Sequence, residues 1–273
     1  YLTSNQGENR LFLNLGGFKF KNITEFAGVS GNKAWSTGVT MVDINGDGFL
    51  DIYVCNSGDV EGDNKQNELF INNGDLTFKE SALKYNLNDE GFSTHANFFD
   101  YDKDGDLDVY ILNNSFQAIG SFDLRRNERP KRDVLGGDKL MQNNNGYFED
   151  VSESAGIYGS VIGFGLGITI GDVDGDNWDD IFISNDFFER DYLYINQKNG
   201  TFKEDLINRM NSISGASMGA DIADIDNNGT NDIFVTEMLP SNYQRLKSVT
   251  TFEGWDKYKY NVKNGYHHQF TRN

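Results

Sequence analysis

The chain has 273 residues with 42 acidic against 24 basic side chains, and its formal charge of −18 argues against nucleic acid or an anionic membrane surface as a partner. Its 21 Phe and 13 Tyr offer ample apolar area for a core, and 30 Gly beside 2 Pro suit a turn-rich β protein rather than a disordered one. A lone cysteine, Cys55, excludes an intrachain disulfide, and no apolar run reaches the roughly 18 residues of a membrane-spanning helix.

Taken from the N-terminus, Leu11-Phe12-Leu13-Asn14 and Phe20 flank Gly16-Gly17, two short apolar runs around a tight turn, which predicts a hairpin. A run containing Gly38 then leads into an acidic stretch that opens at Asp43, and Ile52-Tyr53-Val54 follows as a strand. Cys55 ends that strand and is expected to be a buried, unreactive thiol. The same order returns with Leu69-Phe70-Ile71-Asn72, Phe78, an acidic stretch from Asp100 and the strand Val109-Tyr110-Ile111, with His95 in the place of Gly38. An insertion over roughly 114–137 precedes the third round: Leu140-Met141-Gln142-Asn143, Phe148, Gly167, Asp172 and Ile181-Phe182-Ile183. The fourth is Leu193-Tyr194-Ile195-Asn196, Phe202, Gly219, Asp224 and Ile233-Phe234-Val235. The tail, 241–273, carries Phe252, Trp255, Tyr258, Tyr260, Tyr266 and Phe270.

Each Phe lies 8 or 9 residues after its Leu, and each acidic stretch opens 22 to 24 residues after its Phe. A unit of four short strands at this period predicts an all-β protein made of four-stranded propeller blades. Counted from each Leu-aromatic-x-Asn, the repeats run over 9–66, 67–137, 138–190 and 191–240 within a domain of 1–240, followed by the 241–273 tail. Both ends fall inside a blade, so about four blades of a larger ring are expected.

The four acidic stretches share one pattern. Side-chain oxygens fall at positions 1, 3, 5 and 9: Asp43, Asn45, Asp47 and Asp51; Asp100, Asp102, Asp104 and Asp108; Asp172, Asp174, Asp176 and Asp180; Asp224, Asp226, Asn228 and Asp232. Position 7 (Phe49, Asp106, Trp178, Thr230) can add a backbone carbonyl, and Gly or Asn at position 6 allows the left-handed turn that wraps an ion. Hard oxygens in a flexible loop select calcium, so up to four Ca2+ are expected. The carboxylates would otherwise repel one another. An EF-hand is excluded because position 12 is Val54, Ile111, Ile183 or Val235, not Glu, and lies in a strand.

On these motifs the repeats resemble the FG-GAP (VCBS) repeats of integrin α-subunit propellers. The order of motifs, with Gly163-Phe164-Gly165-Leu166-Gly167, the stretch 184–194 and the stretch 264–273, resembles bacterial secreted proteins of the cartilage acidic protein type in their Bacteroidetes branch. The resemblance implies a seven-bladed ring, export to the cell surface or outer membrane, calcium binding, and a part in adhesion or assembly. Asn177 and Asn228 depart from the Gly and Asp usual at their places, which implies weaker binding in the third and fourth turns.

Partner recognition is expected on longer loops. The insertion holds Arg125, Arg126, Arg129, Lys131 and Arg132, which suit either docking of an acidic surface protein or polysaccharide, or pairing with the acidic blades themselves. The aromatic tail could bind sugars or pack on the ring. No catalytic residue is assigned: His95 sits on a strand, His267 and His268 lack a nucleophile motif, and the obvious carboxylates are committed to metal. The expected function is a non-enzymatic, extracellular binding module, with a lectin or a polysaccharide-active enzyme as the alternative.

Overall fold

The structure, a computed structural model, describes residues 1–32, 35–58, 65–117, 127–159, 161–186, 189–238, 240–249 and 255–270. β1 (Phe12–Asn14) and β2 (Phe20–Asn22) form the first hairpin. Three four-stranded antiparallel sheets follow. The first is β3 (Ser36–Val42), β4 (Asp51–Asn56), β5 (Glu68–Asn72) and β6 (Phe78–Glu80). The second is β7 (Phe92–Phe99), β8 (Asp108–Asn114), β9 (Lys139–Asn143) and β10 (Phe148–Asp150). The third is β11 (Gly165–Gly171), β12 (Asp180–Asn185), β13 (Tyr192–Asn196) and β14 (Phe202–Glu204). After β15 (Ile213–Ser214) come β16 (Gly219–Ala223) and β17 (Asp232–Thr236), paired as the inner half of a fourth sheet.

Each complete sheet opens on the strand before an acidic turn and closes on the Phe strand of the next hairpin. The sheets are thus cut out of phase with repeats counted from their Leu. A sequence repeat has no phase of its own; hydrogen bonding sets it. In the first sheet Tyr53 faces Thr40 on one side and Leu69 on the other, which makes the strand after the acidic turn the second of four. In the complete sheets that strand is almost wholly buried, β4 and β12 along their whole length. Its continuous apolar run fits a strand covered on both faces by neighbouring sheets.

The cores lie between consecutive sheets. Tyr53, Leu69 and Leu87 pack against Val109, Ile111 and Phe148, and Tyr110, Leu112 and Leu140 pack against Ile181, Tyr192 and Tyr194. Cys55 is buried in the first of these layers, which pushes its thiol pKa up and leaves it inert. First strands of successive sheets also touch directly. Thr37 Oγ1 donates to the Ser93 carbonyl (2.7 Å) and Thr94 Oγ1 to the Gly165 carbonyl (2.8 Å). Thr40 Oγ1 donates to the Ala96 carbonyl (2.6 Å) and Thr169 Oγ1 to the Ala220 carbonyl (2.7 Å). Gly38 is required by this approach, since a Cβ there would lie 2.6 Å from the Thr94 carbonyl oxygen.

One feature of the repeat was not expected: a helical turn after the fourth strand. It appears as α1 (Thr24–Ala27), α2 (Ala82–Tyr85) and α3 (Leu206–Arg209). Its signal is the residue two places after Phe, whose side chain accepts from the turn: Thr24 N donates to Asn22 Oδ1, Ala82 N to Glu80 Oε1 and Leu206 N to Glu204 Oε1. In the tail, α4 (Tyr243–Val249) and α5 (Trp255–Lys263) precede β18 (Gln269–Phe270), which pairs parallel to β15. The tail is therefore tied to the body, although Trp255 is 63% exposed. Among the described residues no helix is long and apolar enough to cross a membrane.

Candidate metal centre

All four acidic turns join the first strand of a sheet to its second, so they lie at one end of their sheets. Within each turn the position-1 Asp side chain gathers backbone donors. Asp43 accepts from Asp47 N (3.1 Å) and Gly48 N (2.8 Å), and Asp100, Asp172 and Asp224 do the same in their turns. The position-5 side chain accepts from the position-7 amide: Asp47 from Phe49, Asp104 from Asp106, Asp176 from Trp178, Asn228 from Thr230. Position 6 is left-handed in every turn, at φ 87° for Gly48, 97° for Gly105, 68° for Asn177 and 88° for Gly229. These bonds coil the chain around the position-1 side chain.

Carboxylate oxygens of Asp100, Asp102 and Asp108 all lie within 4.8 Å of one another, as do those of Asp172, Asp174 and Asp180, and of Asp224, Asp226 and Asp232. In the first turn the third position is Asn45, so an amide oxygen stands in that place. The position-7 residues Phe49, Asp106, Trp178 and Thr230 follow at the exit of the coil. Asp106 Oδ1 is sealed from solvent without a hydrogen-bond partner, an orphaned acceptor beside its triad. An all-oxygen donor set of this size, formed on a short flexible loop, fits calcium.

The position-9 Asp is the anchor, and sequence reading missed how it is held. Asp51, Asp108 and Asp180 are all buried. One oxygen of each accepts from the position-2 amide, namely Ile44, Tyr101 and Val173. The other accepts from the backbone N–H of the Asn that ends the next Leu-aromatic-x-Asn strand: Asn72, Asn143 and Asn196, at 2.8, 2.8 and 2.9 Å. The Asn amides donate back to the turn, to the carbonyls of Leu50, Leu107 and Asp179. The recurring Asn thus ties the outer hairpin to the acidic turn. Burial and the neighbouring acids push the Asp108 carboxyl up to about 7 and that of Asp180 to about 6, and raise Asp51. A bound dication favours the ionised forms and removes that cost.

Neighbouring turns also contact one another. Lys103 Nζ donates to the Asn177 carbonyl (2.6 Å) and Asn231 Nδ2 to the Asp172 carbonyl (2.7 Å), while Asn196 Nδ2, at the end of β13, reaches the Tyr101 carbonyl of the second turn (2.9 Å).

The opposite ends of the sheets hold a second repeated network that sequence reading also missed. Its signal was an Asn or Asp two residues before each repeat Leu. Asn67 Oδ1 accepts from Asn56 N, Asp138 Oδ1 from Asn113 N, and Asp191 Oδ1 from Asn185 N. Asn67 Nδ2 then reaches Ser93 in the next sheet, and Asp191 Oδ2 accepts from Ser217.

The described basic residues of the insertion face inward more than outward. Arg129 pairs with buried Glu189 (2.5 Å), and Arg132 donates to the carbonyls of Asp138 and Ile157. Lys131 is exposed, 3.6 Å from Glu128. Arg125 and Arg126 lie outside the described residues, as does Phe252 of the tail. His95 lies against Gly38 in the neighbouring sheet, and burial lowers its pKa. His267 Nε2 is 2.7 Å from the Met210 carbonyl, and His268 Nδ1 is 2.5 Å from Tyr258 Oη.

Antiparallel four-stranded sheets stacked face to face, each with an acidic turn at the same end, define a β-propeller built from repeated blades. Residues 1–54, 57–111 and 172–235 match the FG-GAP-like repeat, and the chain belongs to that family. The stretch between the last two matches, 112–171, contains the insertion, which interrupts the repeat spacing. Among similar solved structures is one described as the basis of specific recognition of non-reducing terminal N-acetylglucosamine by an Agrocybe aegerita lectin. It is 18% identical, with a TM-score of 0.45, over 84% of this chain and 58% of that one. This chain therefore spans less than two thirds of the lectin chain. No curated protein matches the sequence.

Proposed function

We propose that this chain is a calcium-stabilised, non-enzymatic binding module of a cell-surface assembly, displayed outside the cell, with a surface protein or polysaccharide as its ligand. The observation that carries the reading is one coil that recurs in four turns, in three of which the position-1, position-3 and position-9 carboxylates converge. Calcium would be held by the side chains at positions 1, 3, 5 and 9 with the position-7 carbonyl, and would neutralise acids that otherwise repel. The millimolar calcium of extracellular fluids suits loops of this kind, and the resemblance of the motif order to the bacterial cartilage acidic protein type supports surface display.

A lectin is the second reading. It is favoured by the stacked rings of Trp255 and Tyr258, with centroids 5.4 Å apart, on an exposed helix of the tail. Sugar rings stack on such platforms, and glycan-array binding lost on Trp255→Ala would support it over a protein ligand.

Because an ion that binds the folded turn stabilises it by mass action, EDTA is expected to lower the melting temperature by several degrees at neutral pH. Calcium should restore it fully and magnesium only in part. A melting curve indifferent to chelator would overturn the calcium reading.

A further inference from the structure

The third acidic turn differs from the others in carrying its own cations. Lys198 Nζ lies 2.9 Å from Asp176, at position 5, and Arg209 Nη2 lies 3.1 Å from Asp174, at position 3. Lys103 adds a third positive charge, its Nζ on the Asn177 carbonyl and 4.6 Å from the centre of the Trp178 ring. Among the described residues no ion pair is formed with the ligand positions of the other three turns.

The placement of the two lysines is unusual. Lys198 stands at φ 61° in the outer hairpin, where the other repeats have Gly16, Gly74 and Asn145, also left-handed. Lys103 stands at φ 61° in the second turn, where the others have Gly46, Gly175 and Asn227. Left-handed backbone disfavours a long side chain, and Gly or Asn is the residue that fits it. Both lysines nonetheless occupy such places, and both direct their amines at one turn. Arg209 reaches the same turn from the end of α3, held also by Asp205 at 3.1 Å.

From this geometry we infer that Lys198 and Arg209 are built-in counter-ions of the third turn, which keeps its coil without calcium and takes the ion less tightly than the other three. The inference rests on the calcium reading above. A dication entering this turn must displace two ion pairs, whereas in the other turns it relieves repulsion alone. Releasing both should tighten the site by about tenfold, or about 1.4 kcal/mol, within the range of two partly exposed pairs.

Trp178 allows this turn to be read separately, because it is the tryptophan within an acidic turn and can sensitise terbium luminescence. The whole chain is titrated with terbium, with Trp178→Phe as the blank, while calorimetry with calcium reads all sites together. In the wild type the Trp178 signal is expected to saturate last. In the Lys198→Gly, Arg209→Gln double variant it should saturate at about tenfold lower terbium. Lys198→Gly restores the residue found at Gly16 and Gly74, and the wild-type order of filling decides the same point without any variant. A Trp178 signal that saturates with or before the other sites, and does not move in the variant, overturns the inference alone. Calorimetry that detects no calcium at any site overturns the calcium reading and this inference together.

Discussion

At the scale of the residue, the buried polar positions before each repeat Leu make a comparison within one chain. Asn67 and Asp138 occupy equivalent places. Asn67 accepts from Asn56 N and donates to Tyr53 Oη at 3.0 Å; Asp138 accepts from Asn113 N and from Tyr110 Oη at 2.9 Å. Burial pushes the Asp138 carboxyl up to about 7. In the unfolded chain the same group titrates near its ordinary value of about 4. Between these values the folded protein keeps a proton that the unfolded chain has lost, so this group's contribution to stability falls as pH rises from about 4 to about 7, then levels. Asp138→Asn removes that dependence and keeps both hydrogen bonds, as Asn67 demonstrates. The difference in melting temperature, variant minus wild type, is therefore expected to grow in the variant's favour by several degrees from pH 4.5 to pH 7.5 (roughly the span of the two pKa values). A difference that stays flat across this range would show that Asp138 is ionised throughout.

At the scale of the element, the first strands are where sheets meet most closely. Gly38 on β3 faces the backbone of Thr94 and His95 on β7, and a Cβ would meet the Thr94 carbonyl oxygen at 2.6 Å. Backbone cannot yield as a flexible side chain does, so Gly38→Ala must move β3 from β7 and strain the bonds of Thr37 and Thr40 to the next sheet. A loss of about 1–3 kcal/mol in urea unfolding is expected, the range for overpacking a dense interior. An unchanged midpoint would mean the strands are less tightly apposed than their hydrogen bonds imply. The elements themselves were largely legible in the sequence. Alternating runs, Asn-Gly turns and the nine-residue acidic pattern are local signals, and strands such as Ile52–Val54 and Ile181–Ile183 lie where the pattern put them. The oxygen set of each acidic turn is likewise a local property of consecutive residues. What could not be read were partners distant in the chain: Asn196 on Asp180, Arg209 on Asp174, and the Thr bonds between sheets. Sheet phase belongs to the same class, because a repeat reads alike from any starting point. That the basic insertion pairs with the blades was one of its two sequence readings; its particular partner, Glu189 sixty positions from Arg129, was not readable.

At the scale of the whole molecule, electrostatics sets the sign of the response to salt. The chain carries a net −18, and its acidic turns stand together at one end of the sheets. Self-repulsion of this kind opposes the compact state. Sodium chloride at about 0.1 M shortens the screening length to about 10 Å and so damps repulsion between neighbouring turns, which Lys103 and Asn231 join by direct hydrogen bonds. In calcium-free buffer, raising salt from about 0.01 M to about 0.3 M should therefore raise the melting temperature by several degrees. Four bound dications would cancel eight of the negative charges at the points of highest density, leaving less repulsion to screen. In saturating calcium the same salt series should give less than half the rise. Ion pairs pull the other way, since screening weakens Arg129–Glu189 and Arg190–Glu204, but these are buried and feel bulk salt little. Thermal melts across the two series separate the cases. Equal salt slopes with and without calcium would mean that the crowded carboxylates do not govern stability, and that the blades are held by their apolar layers alone.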